Sequence, residues 1–196
     1  MKELHATKKT LYFFVTICAA ACGEMEIFMT YFKTTCASPV GQITLASDGE
    51  NLVGLWLEGQ KYFGGNIADK MVENNGFAVF DKAKLWLDMY FRGENPAVCK
   101  LPLAPVGGEF RQTVWGLLLA IPYGETTTYG ELARKLAALT GRDSMSAQAV
   151  GGAVGHNPIS IIIPCHRVLG ADGSLTGYAG GVEVKARLLK LELSGK

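Results

Sequence analysis

Residues 126–155 read TTTYGELARKLAALTGRDSMSAQAVGGAVG, and how they fold settles the architecture of the second half of the chain. Thr128 stands three residues before Glu131, the spacing of a capping box, in which hydroxyl and carboxylate each satisfy a free backbone N–H at a helix start. Leu132, Ala133, Leu136 and Leu139 then recur at helical spacing, and Thr140-Gly141 ends the helix. A second short helix is expected from Ser144 to about Gly155. It is built almost wholly of small residues: Ala147, Ala149, Val150, Gly151, Gly152, Ala153 and Val154. Two short helices joined by a turn containing Gly match a helix-turn-helix. Pairs of this outline also occur in proteins that never touch DNA, so the pattern alone leaves DNA binding open. In the second helix Gln148 is the one side chain suited to base edges. The small residues Ala147, Gly151 and Gly152 suit close approach to a groove, which implies docking by shape and backbone with little sequence preference.

Downstream, Asn157-Pro158 leads into Ile159-Ser160-Ile161-Ile162-Ile163 and then Pro164-Cys165-His166-Arg167-Val168. A run rich in β-branched residues reads as a buried extended segment that delivers Cys165 to the edge of the core, with Pro164 fixing the chain direction. A Cys beside apolar residues is usually inert core. Here His166 and Arg167 follow at once, and both favour a thiolate, so the thiol reads as reactive.

Upstream, Phe110, Val114, Leu117, Leu118 and Ile121 mark a further helix that stops at Pro122-Tyr123-Gly124. Before it lies a proline-bearing linker, 93–108, ending in Gly107-Gly108. Residues 77–91 suit one amphipathic helix. Residues 31–34, 42–45 and 52–57 read as strands, with Asp48-Gly49 as a hairpin turn. Residues 29–92 therefore read as a small α/β unit and 109–196 as a mostly helical one.

The formal net charge of +1 gives no global sign of a nucleic-acid partner. Residues 1–109 carry ten Lys/Arg against twelve Asp/Glu, and residues 110–196 carry nine against six, a weak basic bias in the second half. Cys18, Cys22, Cys36, Cys99 and Cys165 show neither a Cys-x-x-Cys pair nor a His at ligand spacing. They support no disulfide framework and no metal site, and they fit a reducing compartment.

The motif Pro164-Cys165-His166-Arg167-Val168, with Asn157-Pro158 before it and Gly177-Tyr178-Ala179-Gly180-Gly181 and Leu188-Leu189-Lys190-Leu191-Glu192 after it, closely resembles the O6-alkylguanine-DNA alkyltransferases. These are also called methylated-DNA-protein-cysteine methyltransferases, and the similarity spans Met29 to Glu192. The resemblance implies a ribonuclease-H-like small sheet plus helix, followed by a mostly α domain with a winged-helix-like helix-turn-helix. It implies direct reversal of O6-methylguanine, and of O4-methylthymine, in double-stranded DNA. The protein would act as a monomer without cofactor, in one irreversible turnover. Cys165 would be the nucleophile, His166 its base through a water, and Glu192 the residue that holds the imidazole. Tyr129 would donate a proton toward the leaving guanine, and Asn157 would orient the turn. Val168, Tyr178, Ala179 and Gly180 would bind the base after its extrusion from the duplex. DNA contacts would come from Ala147, Gln148, Gly151, Gly152 and Arg167.

Three positions depart from common relatives. Gln148 stands where many carry an Arg that fills the gap left by the extruded base, His156 stands where some carry another basic residue, and Ala179 replaces a Ser found in some. A cysteine hydrolase using Cys165, His166 and Glu192, and a non-enzymatic helix-turn-helix protein, remain as rival readings.

One stretch fits poorly with a DNA substrate. Lys8-Lys9, an apolar run from Leu11 to Ala21 and then Cys22 resemble an export or lipoprotein signal, although the run is too short to span a bilayer. The alternative is an over-extended start, with translation beginning near Met25 or Met29. That account is preferred, so residues 1–28 are set aside and a cytoplasmic protein without a membrane partner is expected.

Overall fold

The computed structural model describes residues 30–195; the export-like stretch and the alternative starts at Met25 and Met29 lie outside the described residues. The described residues begin with three antiparallel strands, β1 (Tyr31–Ser38), β2 (Gly41–Ser47) and β3 (Leu52–Leu57), which contain the three stretches expected as strands. Gly41 turns the first hairpin at φ 110°. In the second turn the Asp48 carboxylate accepts from the backbone of Glu50 and Asn51 at 2.9 and 2.6 Å. A strand not expected from the sequence, β4 (Met71–Glu73), pairs in parallel with β1, giving the sheet order β3-β2-β1-β4. Helix α1 (Ala78–Phe91) lays Val79, Phe80, Ala83, Leu87 and Tyr90 against this sheet.

The second half contains α2 (Glu109–Leu119), the two-residue β5 (Thr127–Thr128), α3 (Tyr129–Leu139), α4 (Ala147–Gly155), β6 (Val168–Leu169) and α5 (Val182–Ser194). The capping box forms as read: Thr128 Oγ1 accepts from Glu131 N at 3.2 Å, and the Glu131 carboxylate accepts from Thr128 N at 3.0 Å. Helix α4 begins later than Ser144, because Ser146 is its cap and accepts from Ala149 N at 3.3 Å. Helices α2, α3 and α4 bury Val114, Trp115, Leu118, Leu132, Leu136, Val150 and Val154 together. The Trp115 indole N–H is satisfied by the Ala153 carbonyl at 3.0 Å.

The segment from Ile159 to Ile163 is buried but not extended, which corrects the sequence reading. It forms a tight turn in which Ile163 N donates to Ile159 O at 3.0 Å, and Ile161 sits at φ 68°. That backbone region is unfavourable for a β-branched residue and persists only where the surroundings hold it. They do so here, because the apolar side chains at 159 and 161–163 are all within 1% of full burial. Strand propensity gives way to packing: the segment pairs with the sheet only through a lone parallel bridge between Ile159 and Leu55. Leu55 N donates to Pro158 O and Ser160 N donates to Leu55 O, at 2.8 and 2.9 Å. The residues around Pro102 lie against β3 in a similar way, since Leu52 N donates to Pro102 O at 2.8 Å. Sheet and helices therefore share one continuous core.

Candidate active site

The turn that replaces the expected strand is held by one side chain. Asn157 Oδ1 accepts from Ile159 N at 3.0 Å, while its Nδ2 donates to Ile163 O at 2.7 Å and lies 3.1 Å from Cys165 Sγ. Asn157 thus shapes the backbone that presents the sulfur and also donates to the sulfur itself. Cys165 opens a 3₁₀ turn, Cys165–Arg167, and is only 5% exposed. Burial pushes its thiol up to about 11, opposed by the Asn157 hydrogen bond, the Lys185 charge and nearby backbone N–H groups.

The next two residues of the turn meet α5. His166 Nε2 lies 2.7 Å from Glu192 Oε1, and neither residue is exposed. Arg167, expected to face DNA, is turned inward instead. Its Nε and Nη2 donate to the two oxygens of Glu192 at 2.9 and 3.0 Å, and Nη1 donates to Ile121 O at 2.6 Å. The reason is electrostatic: a carboxylate buried as deeply as Glu192 needs a cation, and the planar guanidinium supplies one with matched geometry. Gly124 N donates to Glu192 Oε2 at 3.0 Å, and the Tyr90 hydroxyl donates to Oε1 at 2.8 Å. Burial alone would raise the Glu192 carboxyl, but the hydrogen bonds and charges of His166 and Arg167 overcome it and hold the group at about 2. Burial pushes His166 below its ordinary value, against the pull of Glu192. A neutral imidazole with Nε2–H directed at Glu192 leaves a lone pair on Nδ1, and Nδ1 is buried without a protein partner.

Of the residues expected to hold a base, Tyr178 lies near enough to Cys165 to feel its charge. Val168 and Tyr178 are buried, and Ala179 and Gly180 are half-exposed. A Cβ on Gly180 would lie 2.5 Å from Leu57 and 2.9 Å from the Tyr178 ring, so this close approach requires glycine. Tyr129, the first residue of α3, donates its hydroxyl to Gly177 O at 3.2 Å, and a Cβ on Gly151 would lie 3.6 Å from its ring. Burial, then the Cys165 charge, raise the Tyr129 phenol and keep it protonated. Ala147, Gln148 and Gly152 form an exposed face of α4, with Gly151 half-buried beside them. His156 caps the far end of α4, with Nδ1 2.7 Å from Gly152 O. Its ring stacks on Tyr62 at 3.9 Å, and Tyr62 itself holds a left-handed φ of 61°.

Two residues of the cluster were missed by sequence reasoning. Lys185 is fully buried, and its Nζ donates to Val168 O and Thr176 O at 2.5 and 3.0 Å. A signal for it exists: the buried stripe of α5 reads Lys185, Leu188, Glu192, with charge at two places where a helix normally puts apolar residues. Tyr90 gives no such signal, because an aromatic residue on the core side of α1 is ordinary. Among the described residues no group of His, Cys, Asp and Glu could hold a metal ion, and no helix is long and apolar enough to cross a membrane.

Comparison with known proteins extends these observations. Residues 31–105 match the family model of the 6-O-methylguanine DNA methyltransferase ribonuclease-like domain, and residues 109–194 match that of the 6-O-methylguanine DNA methyltransferase DNA binding domain. The chain is 43% identical over 166 residues to a methylated-DNA–protein-cysteine methyltransferase of Haemophilus influenzae, covering 85% of this chain and 86% of that protein. Against the protein of the same name from Methanosarcina acetivorans it is 46% identical over 156 residues, covering 79% and 94%. Its fold is similar to the crystal structure of Mycobacterium tuberculosis OGT in complex with DNA, with TM-score 0.71, 42% identity, and coverage of 85% of this chain and 94% of that one. The small sheet with its helix corresponds to the ribonuclease-like half and the helical unit to the DNA-binding half, in chain order. With both halves matched and this identity across most of its length, the chain belongs to the 6-O-methylguanine DNA methyltransferase family.

Proposed function

We propose that this chain repairs DNA by direct reversal, taking the alkyl group from O6 of guanine, and from O4 of thymine, onto Sγ of Cys165. The observation that carries this reading is a buried thiol followed at once by a buried imidazole in a single 3₁₀ turn. The Nε2 of that imidazole is fixed by Glu192, and its Nδ1 is left able to accept a proton. The Cys165 proton passes through a water to His166 Nδ1, and Glu192 stabilises the imidazolium as it forms. The thiolate attacks the alkyl carbon, the S–C bond forms as the C–O6 bond breaks, and the electron pair leaves with guanine. Tyr129, held protonated, donates toward the leaving base.

The thiol lies in a protein core, so the nucleotide reaches it only after extrusion from the duplex. Val168, Tyr178, Ala179 and Gly180 form the receiving wall, and Ala147, Gln148, Gly151 and Gly152 of α4 meet the DNA with little sequence preference. Arg167 has no part in DNA contact in this scheme; it holds Glu192. No cofactor takes part, the protein works as a monomer in the cytoplasm, and the product is a thioether that no thiol reductant reopens. The working units are residues 29–92 and 109–196, joined by 93–108, with residues 1–28 dispensable.

Intact mass after mixing with an O6-methylguanine oligonucleotide is the test. One methyl group should be gained, mapped to Cys165, with one equivalent of repaired DNA per protein. Label on Cys36 or Cys99, or many product equivalents as a cysteine hydrolase would give, would overturn it.

A further inference from the structure

The relay around His166 contains a hydroxyl that comes from the other half of the molecule. Tyr90 belongs to α1, yet its oxygen lies 2.8 Å from Glu192 Oε1 and 3.4 Å from His166 Nε2, and the residue is fully buried. Its ring is clamped by Trp86, stacked at 5.4 Å, and by Phe91, Tyr123 and His166 edge-on. We propose that Tyr90 is a positioning residue for the reaction: by donating to Glu192 it sets the basicity of His166, so the sheet-bearing unit tunes the reactive centre of the helical one. This rests on the reading of His166 as the proton acceptor.

The direction of the hydrogen bond follows from chemistry. An ionised Glu192 can only accept, so Tyr90 donates. Burial first, and then the Glu192 charge, raise the Tyr90 phenol far above its ordinary value, so it stays protonated wherever the protein is folded. Oε1 of Glu192 thereby receives three donors: His166 Nε2, Arg167 Nη2 and the Tyr90 hydroxyl. Each takes a share of one negative charge, and the more of it the others hold, the less an imidazolium gains at Nε2. The charged and titratable groups around the pair are Arg167 and Cys165 from the 3₁₀ turn, Lys185 from α5, Tyr123 before β5, Tyr178 before α5, and Tyr90 from α1. Arg167 and Lys185 act on His166 as cations, whereas Tyr90 is neutral and its short hydrogen bond goes to Glu192, at 2.8 Å against 3.4 Å to His166 Nε2. Removing its hydroxyl leaves Oε1 with more charge for the imidazolium, so His166 protonates at a higher pH and fewer molecules hold a free base near neutrality.

The experiment follows the His166 imidazole by NMR titration of the full chain, together with the pH dependence of alkyl transfer from free O6-benzylguanine, in wild type and Tyr90→Phe. Both the imidazole midpoint and the acidic limb of the rate should move up by about one pH unit, a ~10-fold change in proton affinity. In a Glu192→Gln background the Tyr90→Phe change should move neither, since the charge it modulates is gone. An unmoved or lowered midpoint, or an equal upward shift in the Glu192→Gln background as water entry would give, overturns the proposal. If Tyr90→Phe does not fold, Tyr90→Met removes the same hydroxyl and is judged by the same outcomes. A wild type that accepts no alkyl group from DNA or free base would defeat the proposed function, while the titration would still report on Tyr90.

Discussion

Lys185 carries its charge into a buried place, where desolvation favours its neutral form; two carbonyls hold the proton on, and a Cys165 thiolate, once formed, adds to their pull. The relation is reciprocal, since whatever Cys165 does for the ammonium, the ammonium does for the thiolate. Lys185→Met should therefore raise the Cys165 thiol further and slow transfer about 10-fold or more, with the pH profile of Cys165 alkylation moving to higher pH. Loss of rate without movement of the profile would show that Lys185 only braces Val168 and Thr176. At this scale the sequence was informative where a residue type is rare in its surroundings: Cys165 with His166, Asn157 before a proline, and Glu192 through the family motif. It misled at Arg167, which the residues marked as a support for the thiolate and the resemblance as a DNA contact, and which serves a buried carboxylate instead. It was silent at Tyr90, whose partner lies 102 residues away in sequence.

Among the elements, α3 and α4 were legible to within a turn, because capping and periodicity are local. The turn at 159–163 was not, since what bends it is the Asn157 side chain acting on carbonyls and amides up to six residues away. Helix α4 exposes Ala147, Gln148 and Gly152 and offers no cation on that face. If Gln148 makes extrusion the weak step, Gln148→Arg should speed repair of duplex DNA several-fold and steepen its salt dependence, because one more phosphate can be met. Transfer from free O6-benzylguanine, which needs no extrusion, should change little. Equal acceleration of both substrates would show that position 148 acts on the chemistry. His156 is a poor substitute at this task, being engaged with Gly152 and stacked under Tyr62.

For the molecule as a whole, the strand pattern and the helix pattern each announced a unit, but nothing in either announced that they share a core. The joining contacts, Leu55 to Ile159 and Tyr90 to Glu192, are non-local and carry no sequence periodicity. A shared core links stability to the charges inside it. Glu192 is drawn from 4.5 down to about 2, so its contribution, on the order of 3 kcal/mol, is complete above pH 4.5 and disappears as pH falls toward 2. His166 is also depressed, from 6.5, so the unfolded chain binds its proton first and stability begins to fall below pH 6.5. Thermal unfolding should show a two-stage loss on acidification. Glu192→Gln should flatten the lower stage while lowering the melting temperature at neutral pH, because Arg167 is left buried and unpaired.

The raised thiol of Cys165 has a further meaning for a molecule that can act only once. A reagent of this kind waits among oxidants and stray electrophiles, which react with thiolates and hardly at all with thiols. With the sulfur held near 11, on the order of one molecule in ten thousand is ionised near neutrality. Exposed Cys99, at the surface, meets such compounds first. Burial thus works as a safety catch: in the proposed reaction the sulfur stays dormant in storage until the alkyl carbon is brought to it.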